Sequence, residues 1–249
     1  MNVFKFSADS NSVLKWLLHL GALMALGAVV LAAYTVLVLA PGLPSLEAVT
    51  DYRPKLPLRV YTADNVLIGE FGQERRDFVP IAETPAVLKN ALLSIEDARF
   101  YSHGGVDFIG LARAFSGGLR EGASTITMQV ARNFYLTQER TVTRKLREAL
   151  LTYRIEDALA KDQILELYMN QIYLGQRSYG FSSAARTYFG KTLPELSLAQ
   201  AAMLAGVPKN PLRHNPAVNF ERAKQRQVVV LKSMLRNDYI TQAQFDQAS

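Results

Sequence analysis

From Trp16 to Ala40 the chain carries no charged side chain, and His19 and Thr35 are its clearly polar residues. This run constrains everything else. As a helix, its 25 residues reach about 37 Å, more than the roughly 30 Å of a bilayer's hydrocarbon core. A cleaved signal peptide and a buried core helix are the competing readings. The apolar core of a signal peptide usually runs about 7–15 residues, and a core helix normally keeps a polar face. The length and the all-round apolarity therefore predict a retained transmembrane helix. Lys5 and Lys15 precede the span while Arg53 and Lys55 follow it, so the flanking charges do not set its orientation.

The rest of the 249 residues has the composition of a folded chain, with 20% charged and 10% aromatic residues. The absence of cysteine excludes a disulfide scaffold, a thiolate zinc site and a cysteine nucleophile. A net charge of +6 suits an anionic partner without choosing among nucleic acid, anionic lipid and a phosphorylated substrate. The expected organisation is a cytoplasmic tail over 1–15, the membrane helix over 16–40, a linker over 41–57 opened by Pro41, Gly42 and Pro44, a catalytic domain over 58–240, and the start of a following element over 241–249. The stretch 58–71 reads as a hairpin turning at Ala63-Asp64-Asn65. Apolar periodicity then predicts helices over 85–100, 143–159 and 164–174, the last stopping at Gly175, and another from Pro194 to Gly206. Thr241 and Gln244 form a capping box that opens a helix about two turns before Ser249, which reads as a fragment of a longer chain or as a frayed natural tail.

Three features carry chemistry. Glu96 lies four residues after Leu92 and four before Phe100, inside an apolar stripe where partial desolvation raises a carboxylate's pKa and suits a general base or acid. The plainer reading is a helix-terminal Glu paired with Arg99. His103 and Asp97 match no standard metal-ligand spacing, so a structural hydrogen-bonding role is expected for both. Gly122-Ala123-Ser124-Thr125-Ile126-Thr127-Met128-Gln129 places small residues and hydroxyls at a helix start, which suits an anion or a simple N-cap, and it lacks the Gly-Lys-Ser/Thr ending of a P-loop. From Arg132 to Arg154 six cations face two carboxylates, a local net of +4. An amphipathic surface helix explains such a run. Against a diphosphate, however, each close cation is worth about 1 kcal/mol in water and about 4 kcal/mol at the effective dielectric of a protein cleft. Glu148, three residues after Lys145 and four after Arg144, reads alone as their salt-bridge partner.

Taken in order, the run Glu96 to Gly105, the segment Gly122 to Gln129, Arg144-Lys145-Leu146-Arg147-Glu148, and Lys161-Asp162-Gln163-Ile164-Leu165 with Tyr168-Met169-Asn170 and Gly175 resemble the peptidoglycan glycosyltransferase domain of glycosyltransferase family 51. With the anchor, the 52–80 region and Tyr239-Ile240-Thr241, the chain is similar to the N-terminal part of a class A, bifunctional penicillin-binding protein. Two departures stand out. Met128 precedes Gln129 where the family has two glutamines. Lys-Thr-Gly is absent, and the Ser-x-x-Lys spacing from Ser12 to Lys15 abuts the apolar span, so the acylatable serine of a penicillin-binding domain, and with it transpeptidase activity, is not expected.

The resemblance implies a mainly α fold: a lysozyme-like head beside a smaller, membrane-associated lobe, with a cleft between. It implies an enzyme that transfers an undecaprenyl-diphosphate-linked glycan to the 4-hydroxyl of lipid II. Glu96 matches the general base and Glu148 the second catalytic carboxylate. Arg132, Arg140 and Lys145 match the residues that hold the diphosphate, and Ser124 and Gln129 match further substrate contacts. No metal is expected directly on the protein; the implied cofactor is a divalent cation, Mg²⁺ or Mn²⁺, travelling with the diphosphate near Glu148. The implied partners are lipid II, the lipid-linked glycan, membrane lipids and other cell-wall synthesis proteins, without nucleic acid. The implied location is the inner (cytoplasmic) membrane, with the catalytic domain on the periplasmic or extracellular side. The apolar 106–115 stretch reads as interfacial or as a core helix. The rival functions are a lysozyme-like muramidase and a catalytically silent anchored recruitment module. The cationic run separates the first rival, since cleavage of neutral glycan does not call for it.

Overall fold

The computed structural model describes residues 10–52, 57–116, 124–136 and 141–249. Helix α1 (Ser10–Tyr34) runs on through a π-helical turn at Thr35–Leu39, so the apolar helix covers Val13–Leu39, long and apolar enough to cross a membrane. It begins three residues before the predicted span, taking in Lys15, whose long stem can carry its charge out to the interface. Its side chains are exposed on every side, among them Trp16, Leu23 and Leu37, until Leu39 enters the protein interior. A helix with no polar face and no protein around it is suited to lipid, which marks a membrane-anchored chain. The two polar side chains of the run are satisfied within the helix, as lipid requires: His19 Nδ1 donates to the Lys15 carbonyl at 2.6 Å and Thr35 Oγ1 to that of Leu31 at 2.7 Å.

After the short α2 (Glu47–Thr50), strands β1 (Leu58–Tyr61) and β2 (Leu67–Phe71) form the predicted antiparallel hairpin, with Leu58 opposite Phe71 and Val60 opposite Gly69. Strand β3 (Arg75–Arg76) pairs in parallel with β4 (Ser178–Tyr179), a two-residue contact too short to leave a periodic signal. The helices that follow are α3 (Ala86–Glu96), α4 (Phe108–Ser116), α5 (Ile126–Tyr135), α6 (Val142–Ala158), α7 (Lys161–Gln171), α8 (Phe181–Phe189), α9 (Leu198–Gly206), α10 (Phe220–Arg236) and α11 (Gln242–Ala248). The fold is mainly α, as expected. In α4, Phe108 and Ile109 are exposed.

Helices α3, α9 and α10 pack on one another, α5 packs on α6 and α7, and one continuous core joins the two groups. Leu88 and Leu92 of α3 and Leu151 and Ile155 of α6 are fully buried, each contributing about 2 kcal/mol from burial. Three boundaries differ from the periodicity. The first predicted helix ends at Glu96, not Phe100, because Asp97 turns out of the helix to bind elsewhere, and Phe100–Ser102 is a separate 3-10 turn. Pro194 lies in a 3-10 turn at Leu193–Glu195, and α9 starts after Ser197, whose side chain accepts from the Gln200 amide. Helix α7 starts earlier, at Lys161, and stops at Gln171, because the Ile172 carbonyl accepts from the Gly180 amide in the following loop.

Candidate active site

Glu96 is the last residue of α3, and the turn beneath it is fixed to α10, where Ser233 Oγ donates to the Ser94 carbonyl at 2.5 Å. This anchoring puts Glu96 at the junction of the two helix groups, facing α5. Gln129 Nε2 donates to Glu96 Oε2 at 2.8 Å, while Gln129 Oε1 accepts from the buried Tyr168 hydroxyl at 3.3 Å. Tyr168 thus fixes which end of the amide meets the carboxylate. Burial raises the Glu96 pKa above the ordinary carboxylate value, against the lowering pull of the Gln129 bond and of Arg226, Lys209 and Arg132. Arg99, the alternative partner, binds Asp107 instead. Burial, then the Glu96 charge, push the Tyr168 hydroxyl well above its usual range, so it stays a neutral donor.

The start of α5 lies between the two sequence-predicted carboxylates. Thr125 is its N-cap, accepting from the Met128 amide at 3.2 Å and donating to the Gly105 carbonyl at 2.5 Å. The Ile126 amide donates to Asp97 Oδ2 at 3.0 Å, so Asp97 satisfies one of the free amides at this helix N-terminus. His103 Nε2 binds the same carboxylate at 2.9 Å, and His103 Nδ1 accepts from the Gly105 amide at 3.1 Å. The latter bond orients the ring so that Nε2 faces Asp97. Asp97 and His103 thus join the end of α3 to the start of α5 by hydrogen bonds.

On the other side of α5, Glu148 of α6 is completely buried and accepts from Arg144 Nη1 at 2.7 Å and Lys145 Nζ at 2.6 Å. It is their ion-pair partner, but inside the protein, where loss of the carboxylate leaves a shielded charge behind. Lys145 Nζ also approaches Ser124 Oγ at 3.3 Å and Met128 Sδ at 3.9 Å. Ser124, Lys145 and Glu148 are thereby one cluster, and Met128 packs against it rather than donating to it.

Arg132 and Arg144 line a cleft of about 600 Å³ together with Gln171, Tyr173, Tyr179 and Lys209. Glu96 and Ser124 line a smaller cavity of about 100 Å³ with Arg113 and Arg236. The cationic run is divided: Arg154 turns to the Pro44 carbonyl, Arg147 is exposed, and Arg140 lies outside the described residues. The sequence reading missed Lys209 and Arg226, whose charges act directly on Glu96. Arg226 left a signal, since it falls three residues after Ala223 and four before Val230 on the buried face of α10. Lys209, in a Pro-rich turn, left none. Among the described residues no three His, Asp or Glu side chains gather as a metal site, and both Glu148 oxygens are already bound by cations, so these residues do not fit a protein-held metal.

A membrane-length helix, a helical body, a cation-lined cleft and, in a smaller cavity, a desolvated carboxylate are the features of an anchored enzyme. Residues 64–235 match the protein family described as Transglycosylase, and the chain belongs to that family of glycosyltransferases. It is 56% identical over 230 residues to penicillin-binding protein 1A of Neisseria flavescens, covering 90% of this chain and 29% of that protein. It is 50% identical over 230 residues to a putative transglycosylase of Cupriavidus necator, covering 91% of each. The crystal structure of penicillin-binding protein 1A from Haemophilus influenzae is similar at 34% identity and a TM-score of 0.48, over 78% of this chain and 20% of that one. The chain therefore spans under a third of the penicillin-binding proteins it matches and nine-tenths of the Cupriavidus protein.

Proposed function

We propose that this transglycosylase polymerises lipid II, transferring a growing glycan from its undecaprenyl diphosphate carrier to the 4-hydroxyl of an incoming lipid II, on the periplasmic or extracellular face of the cytoplasmic membrane. The observation that carries the reading is the placement of Glu96 and of the Arg144-Lys145-Glu148 cluster on either side of the α5 start. In the reaction the acceptor oxygen bonds to C1 of the donor sugar, the bond from C1 to the diphosphate breaks, and the hydroxyl proton passes to Glu96. A carboxylate whose pKa is raised by burial is a stronger base for that proton, and Gln129, held by Tyr168, keeps its second oxygen free to receive it. The leaving diphosphate carries its charge toward cations already in place, Arg132 and Arg144 in the cleft with Lys145 beside Ser124, and Arg140 is assigned to the same group by resemblance. Glu148 acts by holding Arg144 and Lys145 at fixed positions. No step here passes through a metal; a divalent cation would arrive with the diphosphate, neutralising part of its charge.

The cations favour this reading over hydrolysis of neutral glycan. The test is incubation of the purified, anchored chain in detergent with lipid II and Mg²⁺ or Mn²⁺, with gel separation of the products. A ladder of glycan polymer is expected. Its absence, where a known transglycosylase polymerises the same lipid II, would overturn the proposal.

A further inference from the structure

A second basic cavity, of about 410 Å³, is lined by Lys209, Arg213, His214, Arg222 and Arg226, and no carboxylate lines it. None of these four cations forms an ion pair within 4 Å among the described residues, whereas Arg144, Lys145 and Lys161 elsewhere each have one. Converging cations repel one another, and a shared anion removes that cost. Two buried nitrogens, Arg226 Nε and His214 Nδ1, have no hydrogen-bond partner among the described residues. Arg226 is held in place: its stem lies over Gly206, where an added Cβ would come within 2.7 Å of Arg226 Cγ. Burial and the charges of Arg226 and Lys209 also press the His214 pKa down, the mark of a positive potential.

The cavity is not isolated from the reaction. Lys209 lines both it and the larger cleft, and Arg226 and Lys209 act on Glu96. The substrate that must reach Glu96 is the acceptor, and lipid II carries oxyanions beyond the hydroxyl that reacts: carboxylates on its peptide stem and its own diphosphate. We propose that this cavity binds an oxyanion of the acceptor, a stem-peptide carboxylate or a phosphate, and so orients its hydroxyl at Glu96. The proposal rests on the function given above. Arg213 and Arg222 are exposed and Arg226 half-buried, so the first two form the entrance and the third the wall.

The test uses the anchored chain carrying Arg213→Gln and Arg222→Gln together, two exposed substitutions that should leave its Tm unchanged. With lipid II, KM should rise about tenfold while kcat stays within about threefold, as expected for lost charge-assisted binding away from the reacting atoms. A parallel series uses lipid II with amidated stem carboxylates. If the substitutions have no effect on that substrate, the bound group is the stem carboxylate; if KM still rises tenfold, it is the diphosphate. An unchanged KM with both substrates, or a fall in kcat alone, would overturn the assignment. Binding of inorganic diphosphate and of a soluble muramyl pentapeptide, measured by calorimetry, separates this proposal from the functional one. Should the parent chain make no polymer, binding of either probe that the paired substitutions abolish would still support the cavity, and failure of the parent to bind both would refute it.

Discussion

Glu96 is held where its charge works against the stability of the fold. Its folded pKa is raised, so the native state binds the proton more tightly than the unfolded chain does. Its contribution is most favourable below the unfolded carboxylate pKa of about 4.3 and is lost as pH rises through the higher folded value. Glu96→Gln keeps the acceptor for Gln129 and removes the charge. The variant should therefore have a higher Tm than the parent at pH 7, with the difference closing as pH falls below about 4. Calorimetric melting across that range checks it, and a lower Tm at pH 7 would contradict the placement of Glu96 as a desolvated group. Glu148, by contrast, is buried with two cations on its oxygens. Sequence spacing found both carboxylates and the two cations around Glu148, because i, i+3 and i, i+4 neighbours are local. It had no means of finding Lys209, and the place of Arg226 on the buried face of α10 did not show that its charge reaches Glu96, which happens only through the fold.

Among the elements, the start of α5 organises the site, and Gly105 organises the start of α5. Gly105 has φ +91°, its carbonyl accepts from the Thr125 cap, and a Cβ there would come within 2.6 Å of Thr152 Cγ2 on α6. Gly105→Ala should cost about 2–4 kcal/mol, combining an unfavourable backbone conformation with a steric clash. Denaturant unfolding measures this, and a loss below about 0.5 kcal/mol would mean that the contact relaxes freely. Helices such as α6 were legible because their apolar periodicity is strong. The end of α3 was not: Asp97 leaves the helix for the Ile126 amide, 29 residues on, and no local pattern records that bond. The β3–β4 pair was hidden for the same reason, joining residues about a hundred positions apart.

For the whole molecule, the proposed function makes the anchor and the cleft act together, since a lipid-carried substrate would stay at the bilayer. Helix α1 packs little against the body, whereas Leu39 and Val49 are part of the interior. Removal of residues 1–34 should therefore leave the Tm of the body within about 2 °C of the parent's, on the small scale expected where no packed contact is lost. It should also abolish co-sedimentation with lipid vesicles and lower the polymerisation of vesicle-embedded lipid II. Retained vesicle binding would show that the body has a membrane contact of its own, for which the exposed Phe108 and Ile109 are the obvious source. The apolar run was the most legible feature of the sequence, because membrane spanning depends on composition and length rather than on tertiary contacts. The central claim, that Glu96 takes the acceptor proton, is tested most directly by lipid II turnover of Glu96→Gln in the anchored chain, with affinity for a diphosphate-mimicking inhibitor measured on the same sample. Turnover should fall by about 10³-fold or more with inhibitor affinity nearly unchanged; near-normal turnover would contradict the account.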